Sequence, residues 1–149
     1  MRKIDKISIH CSDTSAGSAL SYDKYHRLHN GWSQIGYNFV ISNGNSGDGY
    51  MESIDGSIEV GRPIGIDPAA VKYFNNGMIA ICLTGANYED FTQKQFKSLE
   101  KLLKDLIDKY GIKLENIKGH RDYSTKKHPI YKKCPCFDVK TFLQQRKIL

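Results

Sequence analysis

Little in this chain marks it for a membrane, a fibre or a cystine-stapled fold. Its longest clean apolar run, Met78 to Leu83, is far short of the roughly 20 residues that span a bilayer, so no membrane insertion is expected. Four cysteines in a chain without an apolar signal segment do not read as a disulfide framework. None is needed at this length, where a domain buries roughly 70% of its unfolded surface. These cysteines read instead as thiols or metal ligands. Only four prolines, no low-complexity tract and no internal repeat leave no linker and no solenoid. The opening "MRKIDKISIH" is charged and then alternating, without an apolar h-region. The expectation is therefore synthesis in the cytoplasm without a signal peptide. No recognised nucleic-acid motif is present either, so nucleic acid is not an expected partner.

What is present reads as one globular domain, residues 1–149, with 40% hydrophobic and 26% charged residues. Lys plus Arg number 22 against 16 Asp plus Glu, a net charge of +6. That sign favours an anionic partner such as nucleic acid, an anionic membrane or an acidic cell-wall polymer, without choosing among them.

The periodicities give the elements. Residues 4–10, "IDKISIH", alternate as a strand, with Ile7, Ile9 and Cys11 on one face and Lys6, Ser8 and His10 on the other. "SYDKYHRLHN" predicts a helix with Ser21 near its N-cap, and Gly31 and Gly36 bracket a turn. Strands are predicted at "YNFVIS" (37–42) and "SIEVGR", with the turn-rich "NGNSGDG" between them and an irregular stretch over 67–77. "MIAICLTG" (78–85) reads as a buried strand. Thr92 and Gln95 form a capping box. Phe96, Leu99, Leu102, Leu103, Leu106, Ile107 and Tyr110 then recur at helical spacing until Gly111. "ENIKGH" predicts a short strand, and a last helix follows Asp138. Alternating strands and helices imply an α/β domain with a central mixed sheet flanked by helices.

One segment fits no core element. "GHRDYSTKKHPIYKKCPCFD", residues 119–138, packs two histidines, two cysteines and four lysines together. His10 and His120 each end a predicted strand, and Cys134 lies in the loop before the last helix. Groups at strand ends can converge on a rigid sheet. Zinc takes His nitrogen and Cys sulfur, and catalytic zinc sites use three protein ligands and keep one position open. Spacing alone does not select this triple, because five histidines and four cysteines offer many. A closed site of His120, His128, Cys134 and Cys136 is the rival, although Cys-Pro-Cys leaves one residue between thiols where structural sites leave two to four. The plainer readings are a hydrogen-bonded histidine at each strand end, Cys11 and Cys82 as buried small hydrophobes, His26 and His29 as polar-face residues of a helix, and the lysines as solvated charge.

Taken in order, "ISIHCSDT", "GWSQIGYNFVIS", "GSIEVGRP", "IAICLTG" and "GHRDYS…KKCPCFD" resemble the type 2 N-acetylmuramoyl-L-alanine amidases, which include phage amidase-type lysozymes and peptidoglycan-recognition proteins. The blocks run from about residue 4 to 147, nearly the whole chain. The resemblance implies zinc held by His10, His120 and Cys134, with Tyr37 and Lys132 as catalytic residues beside it. It implies metal-assisted hydrolysis of the amide joining N-acetylmuramic acid to L-alanine of the stem peptide. Lys132 would stabilise the oxyanion, and Tyr37 would orient water or substrate. Bacterial peptidoglycan is then the partner, a monomer the expected state, and a phage or prophage endolysin that reaches the cell wall after release the expected role. The chain departs from the pattern at Ala70, where relatives often carry a histidine that helps bind substrate, and at Asn38, where a second histidine is common. Extra length at "NSGDGYME" is expected to alter the rim of the cleft.

Overall fold

The computed structural model describes residues 2–148. Its strands are β1 (Lys6–Cys11), β2 (Phe39–Ile41), β3 (Ile58–Val60), β4 (Met78–Leu83) and β5 (Ile117–Gly119), and its helices α1 (Ala19–His29), α2 (Gln93–Tyr110) and α3 (Val139–Gln145). The strands form one five-stranded sheet in the order β3-β2-β4-β1-β5. β1 pairs in parallel with β4 and β5, β2 pairs in parallel with β4, and β3 runs antiparallel to β2. The sheet is therefore mixed and lies between helices, as the alternation of elements predicts. Among the described residues, no helix is long and apolar enough to cross a membrane.

Strand alternation divides the core. Ile7, Ile9, Ile41, Ile79, Ile81 and Leu83 face α2 and α3, where Phe96, Leu99, Leu103, Phe142 and Leu143 meet them. Leu99 and Leu103 are fully buried, and each contributes roughly 1.5–3 kcal/mol by leaving water. The other face is thinner and more polar. Val40 and Cys82 pack there with Tyr22 of α1 and Ile35. Val71, Met78 and Tyr123 make a third small cluster. Ser8 and His10 stand on this second face and are buried as well, so β1 is covered on both sides.

The helix ends follow capping chemistry. Thr92 and Gln95 form the predicted capping box, and Gly111 closes α2 in the left-handed region at φ 64°. Gln95 does more than cap. Its Nε2 donates to the carbonyls of Ile41 and Thr84 at 2.9 and 3.0 Å, which ties α2 to the ends of β2 and β4. For α1 the N-cap is Ser18, and Ser21 is the reciprocal partner three residues on. The helix therefore starts earlier than the segment "SYDKYHRLHN" suggests. β2 is also shorter than predicted, so Tyr37 precedes the strand. His120 does not end a strand: β5 stops at Gly119, and His120 opens a 3-10 turn, His120–Tyr123.

The extra length between β2 and β3 does not shape a cleft rim. Tyr50 donates to Asp55 Oδ2 at 2.7 Å, and Thr92 Oγ1 donates to Asp55 Oδ1 at 2.5 Å. Lys94 and Glu52 form an exposed ion pair nearby. These bonds tie the loop to the start of α2, and none of its residues lines the clefts described next.

Candidate metal centre

The site is built on the polar face of the sheet. His10 sits near the end of β1, only 1% exposed. Ser8, two residues back on the same face, places its Oγ 2.7 Å from His10 Nε2. That contact occupies one ring nitrogen and leaves Nδ1 for another partner. His120 enters from the end of β5, the strand beside β1, with its ring centroid 4.7 Å from that of His10. Cys134 arrives on the loop before α3. Arg121 N–H donates to the Cys134 carbonyl at 3.0 Å, and Cys11 N–H points at Cys134 Sγ at 3.2 Å. Gly119 permits this approach, because a Cβ there would lie 2.7 Å from Pro135 Cδ.

His10, His120 and Cys134 each present one ligand atom, and these atoms all lie within 4.8 Å of one another. Among the described residues they are the one group of three or more His, Cys, Asp or Glu so placed. The rival cluster is not assembled. His128 stacks on Tyr73 with centroids 3.8 Å apart. Cys136 Sγ lies 3.5 Å from Cys11 Sγ and 3.5 Å from the Ala86 carbonyl.

The protonation states leave both histidines able to act as metal ligands. Burial holds the His10 pKa well below its ordinary value, and the charges of His120 and Lys132 push the same way. Burial, with Lys132 again, brings His120 down to about 4. Both imidazoles are thus neutral at pH 7, with lone pairs available. Burial and the contact with Cys11 raise Cys136 to about 11, so it remains a thiol. Cys11 is raised chiefly by its bond to Cys134. Two imidazoles and one sulfur are the ligand types of a three-ligand zinc site, and the cleft leaves room beside them.

That cleft, about 430 Å³, is walled by Tyr37, Trp32, His26, Lys132 and Asp13 as well as the three ligands. The Tyr37 ring lies 5.2 Å from the His10 ring. Loss of solvent around it holds the Tyr37 hydroxyl well above its ordinary pKa, so it stays a proton donor. Lys132 is exposed on the rim, close enough for its charge to act on both histidines. Lys133 lines the same cleft but is tied to Asn87 Oδ1 at 3.1 Å. A second cleft of about 650 Å³ adjoins it, sharing Trp32, Ala69, Ala70, His120 and Lys132. Ala70 lies on the wall of both. Asn38 instead is buried in the core. It accepts from Ala80 N–H and donates toward the carbonyls of Arg62, Pro63 and Ile66, so it joins β4 to the loop after β3.

Two wall residues escaped the sequence reading. His26 reads there as the polar face of a helix, yet its ring lies 4.8 Å from Trp32 and 5.7 Å from Tyr37. Asp13 sits on the wall with a left-handed backbone, φ 61°, a conformation that costs a non-glycine residue energy and often marks a site.

Known proteins resemble this chain in sequence and in fold. A family model described as N-acetylmuramoyl-L-alanine amidase matches residues 1–136. An uncharacterized protein of Haemophilus influenzae is 36% identical over 111 residues, covering 64% of this chain and 93% of its own length. An endolysin of Klebsiella phage KP32 is 27% identical over 156 residues, covering 99% of this chain and 91% of its own. The solved structure of the N-acetylmuramoyl-L-alanine amidase LysC from Clostridium intestinale has a TM-score of 0.76 at 23% identity, over 98% of this chain and 87% of that one. Drosophila PGRP-LB gives a TM-score of 0.69 at 20% identity, over 97% of this chain and 81% of that one. At such identities the two structures show a shared fold.

Proposed function

Because the chain belongs to the N-acetylmuramoyl-L-alanine amidase family, we propose that it hydrolyses the amide between N-acetylmuramic acid and L-alanine of the peptidoglycan stem, as an endolysin of phage or prophage origin. The observation that carries this reading is the convergence of His10, His120 and Cys134 in an open cleft. Their donor set fits zinc. A tetrahedral ion with bonds of roughly 2.0–2.3 Å separates its ligands by about 3.5 Å, compatible with atoms already within 4.8 Å of one another. When bound there, zinc supplies a Lewis acid and lowers the pKa of its water from about 15.7 toward roughly 7.

The chain's own groups do the rest. Ser8 fixes the ring of His10, so the available nitrogen points one way. Tyr37 keeps its proton and donates it in a hydrogen bond to water or to the substrate amide. Lys132 carries a cation beside the position where negative charge develops on the scissile carbonyl oxygen, and so favours the transition state over the ground state. The sheet supplies the rigidity that keeps these groups in register.

Digestion of purified sacculi tests the reading. Mass spectrometry should find free L-alanine amino termini on stem peptides. Activity should vanish on thorough chelation and return with zinc. New reducing sugar ends would mean a glycosidase, and sacculi bound but left uncut would mean a recognition module.

A further inference from the structure

Cys136 has no part in the metal group, yet its position is closely defined. The Lys133 carbonyl accepts the Cys136 N–H at 2.8 Å and closes a turn. Within that turn Cys136 takes a left-handed backbone, φ 73°, which costs a non-glycine residue energy. Its sulfur comes to rest 3.5 Å from Cys11 Sγ, although the two residues lie 125 positions apart. Cys11 is held firmly on its side. It ends β1, pairs with Leu83 of β4 and is only 5% exposed. Cys134 is committed as a ligand when the metal site is loaded, and Cys82 is fully buried. Cys136 is therefore the free, half-buried thiol that faces Cys11.

We propose that Cys11 and Cys136 are a disulfide-forming pair, a latch that closes when the folded protein meets a small-molecule disulfide as oxidant. An S–S bond is about 2.05 Å long, so closure brings the two sulfurs about 1.5 Å nearer. Cys136 meets the oxidant first, because Cys11 lies deeper. Its sulfur displaces one thiol of the oxidant and forms a mixed disulfide. The Cys11 sulfur then attacks Cys136 Sγ and expels the second thiol. Two S–H bonds are lost and one S–S bond is made. The two electrons and two protons pass to the oxidant, which leaves as two thiols. Cys136 is protonated at pH 7, so closure takes hours rather than seconds. The pair stays open in a reducing cytoplasm and closes outside it. Only that change of compartment rests on the endolysin reading. Once closed, the bond ties the loop to the strand that carries His10, at a point two residues from Cys134. It also removes the freedom of a loop spanning 125 positions from the unfolded chain.

Zinc-loaded protein incubated at pH 8 with excess oxidised glutathione tests the pair. After chelation and denaturation, the four free thiols should fall to two. The mass should fall by two hydrogens, on a monomer. Peptide fragmentation should join Cys11 to Cys136 and leave Cys134 and Cys82 open to alkylation. The oxidised wild type should melt roughly 5–10 °C above the same sample reduced with a phosphine. Cys136→Ser should keep its fold and zinc, form no bond to Cys11 and show no such rise. Four thiols still free, a bond to Cys134 instead of Cys136, or a dimer joined through Cys136 would each overturn the proposal. So would a closed bond that leaves melting unchanged, or the same rise in Cys136→Ser. Thiol counts, masses and melting involve no cleavage, so their failure leaves the amidase reading intact, and uncut sacculi leave the latch intact.

Discussion

β1 and the 119–138 segment deliver ligands to one point by opposite means. His10 rides on a strand paired on both edges and buried on both faces, whose own Ile7 and Ile9 are fully buried on the opposite side. Cys134 rides on a loop whose flanks, Tyr131 to Lys133, are exposed. Contacts around the ligand hold that loop in place, among them Arg121 N–H to Cys134 O, Cys11 N–H to Cys134 Sγ, and Pro135 against Gly119. The strand gives position and tolerates little chemistry, because any uncompensated polar group there would be costly. The loop gives room for cations and a thiol, because water solvates whatever the metal does not use. A site of this kind needs both parts, and the comparison predicts where each fails.

The largest effect should come from the loop's ligand. Cys134→Ser should lose most of its zinc by metal analysis and nearly all cleavage, while Cys136→Ser keeps both. Equal zinc loss in the two would restore the closed cluster of His120, His128, Cys134 and Cys136. Next comes the loop's cation. Lys132→Ala should lower turnover on the order of a hundred- to a thousandfold with zinc and sacculus binding intact. Tyr37→Phe should behave in the same way. Lys133→Ala, whose parent ammonium is bonded to Asn87, should lose far less; matching losses would reduce both lysines to a general basic patch.

Stability should show the reverse contrast. Ile79→Ala, at a fully buried position of β4, should cost about 2–5 kcal/mol in denaturant unfolding. Tyr131→Ala, at a side chain 92% exposed, should stay within about 0.5 kcal/mol. A large cost at Tyr131 would mean that the loop is a structural part of the fold.

The smallest effect is on proton affinity. In metal-free protein His10 and His120 have folded pKa values below the unfolded value of about 6.5. The unfolded chain therefore binds more protons across the window from about 6.5 down to about 4. Stability from these groups is present above that window and is lost as pH falls through it. Lys132→Ala removes the lesser cause, so NMR titration should find His120 above its present value of about 4 yet still below 6.5. An unmoved His120 would place the Lys132 charge too far away to act as an oxyanion partner.

Much of the fold was legible because its signals are local. The alternation in "IDKISIH", the apolar run of β4 and the capping box of α2 each depend on residues a few positions apart, and each element forms where those patterns lie. The misplaced details are ones where tertiary context wins: Ser18 rather than Ser21 caps α1, β5 ends before His120, and the extra loop packs on α2 instead of the cleft. The histidines and the cysteine were visible as residue types, and the family resemblance named the triple. Spacing could not select it, since Cys11 and Cys134, which meet at 3.2 Å, lie 123 positions apart. The sequence by itself determined the periodic elements, the basic charge and the inventory of ligands, because these follow from neighbours along the chain. Only the tertiary structure decided which ligands converge, and that Cys136 packs against Cys11 rather than joining them. Those outcomes depend on backbone groups brought together by sheet order and by burial, which no local pattern encodes.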